Sequence, residues 1–253
     1  MTAPIPRDIP DLPAVPGPPV LLPAPVPATA VVAPVRRPAV AVFRLATAVA
    51  AAGGVALELL LGPPSRVLGY FSVQSSILLA VVMLLSATRS WRARRALPSA
   101  VTGATLLYAV IGALVYHLLL THTTPPFSMT GATTAPERWH AQWTALQILH
   151  VLVPAAAVLD WLFLTPAARL RLRQAAAWLL YPLAYLAFTL LIRAAFMPPS
   201  DPSRYLYPFL DVTAHGYRGT LANALLLGLA IYALAVLLVA LDHARPTPTR
   251  HPV

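Results

Sequence analysis

Six long apolar runs follow one another along the chain, at about Ala39–Leu61, Leu68–Thr88, Ala100–Leu120, Ala141–Leu164, Ala175–Phe196 and Gly219–Leu241. Most charged side chains lie in the segments between them. Each run meets the roughly 20 residues that an α-helix needs to cross a hydrocarbon core about 30 Å thick. In lipid the backbone must satisfy itself, and long runs without strand-like alternation do so as helices. The expected fold is all-α: a polytopic membrane protein, built as a bundle of six transmembrane helices.

Composition supports that picture. The 253 residues are 58% hydrophobic and only 10% charged, where a soluble domain carries roughly 25% charged residues. Cysteine is absent, which excludes disulfides, thiolate metal sites and a cysteine nucleophile. The net charge of +10 comes from arginine alone, clustered in short connections, which speaks for headgroup contact and topology rather than nucleic acid. Arg36 and Arg37 precede the first run, Arg89, Arg92, Arg94 and Arg95 follow the second, Arg169, Arg171 and Arg173 follow the fourth, and Arg245 and Arg250 follow the sixth. The positive-inside rule then puts both termini in the cytoplasm, with the bundle in the plasma membrane. Eleven prolines in residues 1–37 predict a disordered cytoplasmic tail, either without a dedicated role or docking a proline-reading partner. The bundle is expected over 38–242 and a flexible tail over 243–253. Protein partners are otherwise unspecified.

Polar residues inside the runs are the candidates for function, because lipid offers them no partner. Ser72, Ser75 and Ser76 share one face of the second run. They either bond back to carbonyls one turn earlier or line a polar cavity. His150 lies about ten residues into the fourth run, with Gln147 one turn before it and Pro154 one turn after. It either makes interhelical bonds or faces a cavity beside a proline bend. Tyr181, Tyr185 and Thr189 form a stripe on the fifth run that packs inward. Arg44 and Glu58 lie on nearly one face of the first. Arg44 is expected to snorkel to the interface, Asp160 to pair with Arg169 or Arg173, and Glu58 to approach the serines or Arg193. Ala46, Ala50 and Gly54 offer a small-residue seam for close packing. The aromatics Tyr205, Tyr207 and Phe209 before the last run read as an interfacial belt or as the cap of a cavity. The histidines show no i, i+4 ligand pair, so no metal and no cofactor is expected.

The short motifs occur in a distinctive order. They are Tyr70-Phe71-Ser72-Val73-Gln74-Ser75-Ser76, then Leu149-His150-Val151-Leu152-Val153-Pro154 with Asp160-Trp161, then Tyr181-Pro182-Leu183-Ala184-Tyr185, then Tyr207-Pro208-Phe209-Leu210-Asp211-Val212 with Gly216-Tyr217. In this the chain resembles the predicted six-transmembrane bacterial membrane proteins related to the androgen-induced family. Animal members of that broader family are threonine hydrolases of fatty acid esters of hydroxy fatty acids. The resemblance implies Ser72 as nucleophile, in place of the threonine, and His150 as base. Bacterial relatives often carry asparagine where this chain has Ser76.

Such chemistry needs a hydroxyl activated by an adjacent base and donors for the developing oxyanion. Ser75, Ser76, Gln74 and the first amides of the second run are the candidate donors, Glu58 the candidate partner of His150, and Tyr181 and Tyr185 candidate positioning groups. By helical rise Ser72 and His150 differ in depth on the order of 9 Å. The expected function is hydrolysis of lipid-type acyl esters within the membrane, the partner being a membrane lipid or lipid-like substrate. The alternatives are a non-enzymatic membrane binding or assembly protein, and a small-solute or proton-coupled carrier.

Overall fold

A computed structural model of the chain describes residues 35–123, 126–131, 138–198, 201 and 204–246. The chain divides into two units, Met1–Pro34 and Val35–Val253, and all the helices described below belong to the second. The proline-rich tail expected over residues 1–37 and the end of the tail expected over 243–253 fall largely outside the described residues.

Among the described residues six helices are long and apolar enough to cross a membrane: Pro38–Leu61, Phe71–Trp91, Ser99–Leu120, Trp139–Leu164, Leu172–Phe196 and Val212–Ala244. The protein is a multi-pass membrane protein, and no strand occurs among the described residues. An even number of spans puts both ends of the bundle's chain on one side. Two boundaries differ from the sequence reading. The second span starts at Phe71 because Pro64–Val67 forms a separate short helix. The sixth begins at Val212, capped by Asp211, whose side chain accepts from the Thr213 amide, and it breaks at Gly216, where φ is 64°.

The first four spans form the core. The first packs most extensively on the second and also on the fourth, and the third lies against the second and fourth. The second span buries 56% of its apolar window, the fifth and sixth only 22% each. The last two spans therefore stand at the periphery. Trp178 ties the fifth to the third: its indole donates to the Ala100 carbonyl at 2.8 Å, and Tyr108 donates to the Trp178 carbonyl at 2.8 Å. Gly103 permits that approach, since a Cβ there would stand 2.5 Å from the Trp178 ring.

The small-residue seam on the first span runs in a different register from the expected one. Ala46 is exposed. The buried stripe is Arg44, Thr47, Ala51, Gly54, Val55 and Glu58. Gly54 is the buried member of the expected trio, and there the fourth span comes close: a Cβ would meet Ile148 and Leu149 at 2.8 Å.

Two polar locks close the end that carries the bundle's termini. Arg44 does not snorkel: it grips Asp160 through two hydrogen bonds, of 2.7 and 3.2 Å, and donates to Ser90 at 2.9 Å. Asp160 thus pairs with a span residue and not with Arg169 or Arg173. Asp242 is 1% exposed. It accepts from the amides of Arg169 and Leu170 at 2.7 and 2.8 Å, from the Trp161 indole at 3.1 Å, and from Arg245.

Candidate functional site

The second span opens without a side-chain cap at Tyr70. Its first amides consequently lack intrahelical partners. Ser72, in the first turn, is 5% exposed, and its hydroxyl faces the Met129 sulfur at 3.7 Å. The Tyr207 hydroxyl lies against the Ser72 side chain and the amides of Phe71 and Ser72. Burial pushes that phenol well above the usual tyrosine range, so it stays neutral there and free to donate. Tyr207 is 4% exposed; it is a plug set among Tyr70, Phe127 and Tyr185, not part of an interfacial belt.

Ser75 and Ser76 both turn back to the Ser72 carbonyl, at 3.0 and 2.8 Å. Their hydroxyl protons are spent on the helix. Gln74 faces away: its carbonyl oxygen accepts from Tyr181 at 2.8 Å and its amide donates to the Leu68 carbonyl at 2.9 Å. Tyr185 donates to the Gly69 carbonyl at 3.0 Å. Tyr181 and Tyr185 thereby fasten the fifth span to the loop and first turn that present Ser72.

His150 is 2% exposed and sits in a π-helical turn, Ile148–Leu152. Pro154 explains the turn. It has no N–H to give to the His150 carbonyl, and the register widens so that the Val153 amide donates to the Ile148 carbonyl. Gln147 is not the imidazole's partner: Nδ1 stands 3.1 Å from the Leu146 carbonyl. A carbonyl only accepts, so Nδ1 carries the proton and Nε2 keeps the free lone pair. The ring stacks on Tyr116 with centroids 4.3 Å apart.

The third span fixes the relative level of the two groups. A Cβ on Gly112 would lie 3.6 Å from the Ser72 Cβ, and Tyr116, one turn farther on, carries His150. The depth difference between their anchors is therefore about one turn, roughly 6 Å. Among the described residues no hydrogen bond joins Ser72 to His150. Glu58 is 0% exposed, and neither carboxyl oxygen has a hydrogen-bond partner among the described residues. It neighbours the rings of Tyr70 and Tyr116 electrostatically. Burial raises the Tyr70 phenol above its ordinary value; Glu58 adds to the shift and Arg66 opposes it. Arg193 points to the Ser65 carbonyl, at 3.4 Å.

Tyr116, Gly112 and Met129 were not singled out by the sequence. Tyr116 and Gly112 sit on an unremarkable apolar run, and only their register against Ser72 and His150 gives them a role. Met129 lies in a loop with no motif at all. Comparison of the chain with family models, with curated proteins and with solved structures gives no match.

Proposed function

We propose that this membrane protein is a hydrolase of lipid-type acyl esters, with Ser72 as nucleophile and His150 as general base. The observation that carries the reading is the state of the imidazole. A buried histidine whose Nδ1 is committed to a backbone carbonyl presents Nε2 as a proton acceptor, at a depth about one turn from that of a buried hydroxyl at an uncapped helix start. On attack, the Ser72 oxygen bonds to the acyl carbon while its proton passes to Nε2. The leaving alcohol takes that proton, and water then releases the acid by the same route in reverse. The Val73 amide and the neutral Tyr207 hydroxyl supply donors for the oxyanion. Closing the pair requires the Ser72 hydroxyl to rotate away from Met129. The cytoplasmic placement of both termini belongs to the same proposal and rests on the arginine distribution.

The test is turnover of a long-chain acyl ester by the purified protein in lipid, together with covalent labelling by a fluorophosphonate. Both are expected to vanish in Ser72→Ala and to fall at least a hundredfold in His150→Ala, the usual weight of a general base. Undiminished turnover in Ser72→Ala would sink the reading.

One observation favours a second reading, a proton-coupled carrier using His150. Glu58 is a wholly buried carboxyl with no hydrogen-bond partner among the described residues, and such a group in a membrane takes and gives up protons or pairs with a moving cation. Solute uptake driven by a pH gradient, lost in Glu58→Gln and His150→Ala and kept in Ser72→Ala, would select the carrier.

A further inference from the structure

The peripheral position of the fifth and sixth spans leaves a cleft. Its main part, about 640 Å³, lies between the third and sixth spans. Its lining is leucine, isoleucine, valine and alanine, except at one end, where His215 and Asn223 stand beside Pro208 and Phe209. From Asn223 to Leu234 it follows the sixth span for roughly 16 Å at 1.5 Å per residue. A smaller arm of about 80 Å³ shares Ile111, Val115, Phe209, Leu227 and Ile231 with it and ends at Phe71, Gly112 and Tyr207. Those three residues enclose Ser72: one precedes it in the chain, one lies against its Cβ and one touches its side chain.

We propose that this branched cleft binds a single long acyl chain, taken sideways from the surrounding lipid, with its polar end at the arm beside Ser72 or at the His215 mouth. The shape and the polarity argue for that occupant. An elongated cleft lined by aliphatic side chains over most of its length and open toward the lipid matches a hydrocarbon chain, and water gains nothing along that stretch. The polar groups stand at the two ends, His215 and Asn223 at the mouth and Tyr207 at the arm, where an amphiphile keeps its head. The arm gives the chain a reason to be bound, since it ends at residues that touch Ser72, whose hydroxyl, unlike those of Ser75 and Ser76, is not turned back to the helix backbone. Only this last step rests on the hydrolase reading; the binding does not.

The probe is the methyl ester of a palmitic acid with a mid-chain diazirine, in phosphatidylcholine nanodiscs carrying the full chain. After illumination the labelled peptides are mapped by mass spectrometry, with methyl palmitate and methyl butyrate as competitors. The expected result is saturable label on the third and sixth spans around Val115, Leu227 and Ile231, reduced at least tenfold by the palmitate and unchanged by the butyrate. Gly228 borders the arm, and a Cβ there meets nothing within 4 Å. Gly228→Phe accordingly fills the arm without forcing the backbone, and label should disappear from peptides flanking Ser72 while persisting near His215. Leu227→Trp serves as a second block at the junction. Label spread evenly over all lipid-facing helices, or not displaced by the palmitate, overturns the proposal. Because the mapping is repeated in Ser72→Ala, the two readings separate. Saturable label without turnover in either protein keeps the binding site and removes the reaction. Turnover without saturable label removes the binding site.

Discussion

Breaking the Arg44–Asp160 pair should unfold the protein more readily than any surface change. The two side chains are 11% and 9% exposed, and they join the first span to the fourth across 116 residues of sequence. Asp160→Ala leaves the guanidinium in place with its charge unmatched. Removing one member of a buried pair costs about 3–5 kcal/mol. Ser90 and Thr165 remain as acceptors for Arg44, at 2.9 and 3.3 Å, so the lower bound, about 3 kcal/mol, is the expected loss. Replacing both members, Arg44→Leu with Asp160→Leu, removes the unmatched charge and should recover most of that loss. The assay is reversible unfolding by sodium dodecyl sulfate in mixed micelles, read by far-ultraviolet circular dichroism for the unaltered protein, both single variants and the double variant. If Asp160→Ala unfolds at the same detergent fraction as the unaltered protein, the pair is not buried in the folded state. If the double variant is no more stable than Asp160→Ala, the loss comes from packing and the electrostatic account fails.

Three other outcomes follow from the same contacts. Gly54→Leu puts a side chain where Ile148 and Leu149 already stand at 2.8 Å from the built Cβ; it should cost about 1–3 kcal/mol by overpacking and depress ester turnover, because the displaced turn carries His150. Tyr116→Ala removes the ring stacked on His150 and should lower stability by about 3 kcal/mol, with turnover falling further than in Tyr116→Phe, which keeps the ring. Asp242→Asn keeps the size but weakens the acceptor for the Arg169 and Leu170 amides, so amide exchange at those residues should quicken while exchange around Ser72, at the opposite end of the bundle, stays unchanged.

The six spans and the all-α architecture were legible because each run had to satisfy its backbone within itself and bury or expose its side chains to lipid. The partners of the polar residues were not legible, for a reason visible at Arg44. From the sequence a cation near a span end has three physically sensible fates: snorkelling, a loop carboxylate or a carboxylate on another span. The choice depends on which helix faces it, and helical periodicity carries no information about neighbours. The same ambiguity misplaced the seam on the first span, where small residues every four positions were read as contact, whereas Ala46 is exposed and Gly54 is the member buried against the fourth. At the candidate site the residue types were visible, since Ser72 and His150 are polar where lipid forbids it. Their setting was not: Met129 comes from a loop, and Tyr207 turns inward from a segment whose composition suits an interface equally well.

Pro154 connects local backbone chemistry to the candidate site and permits a sharp test. Without an amide proton at 154 the His150 carbonyl has no i+4 donor, and the helix takes up the mismatch as one π turn over Ile148–Leu152. Inserting a π turn rotates the residues before it relative to those after it, and such turns recur where a side chain must be aimed. Here the aimed side chain is the imidazole, held between the Leu146 carbonyl and the Tyr116 ring. Pro154→Ala supplies the missing donor, so the fourth span is free to relax to regular α-helix over Ile148–Leu152. One added hydrogen bond, worth about 1 kcal/mol, offsets the packing lost with the proline ring, and unfolding should change little. The imidazole, however, should leave its stack, and ester turnover should fall at least tenfold, with a loss of the ring-current shift that Tyr116 imposes on the His150 Cε1 proton. A Pro154→Ala protein with full turnover and the ring-current shift on the His150 Cε1 proton retained would mean that the π turn is imposed by the packing of neighbouring spans, and that the proline does not set the direction of His150.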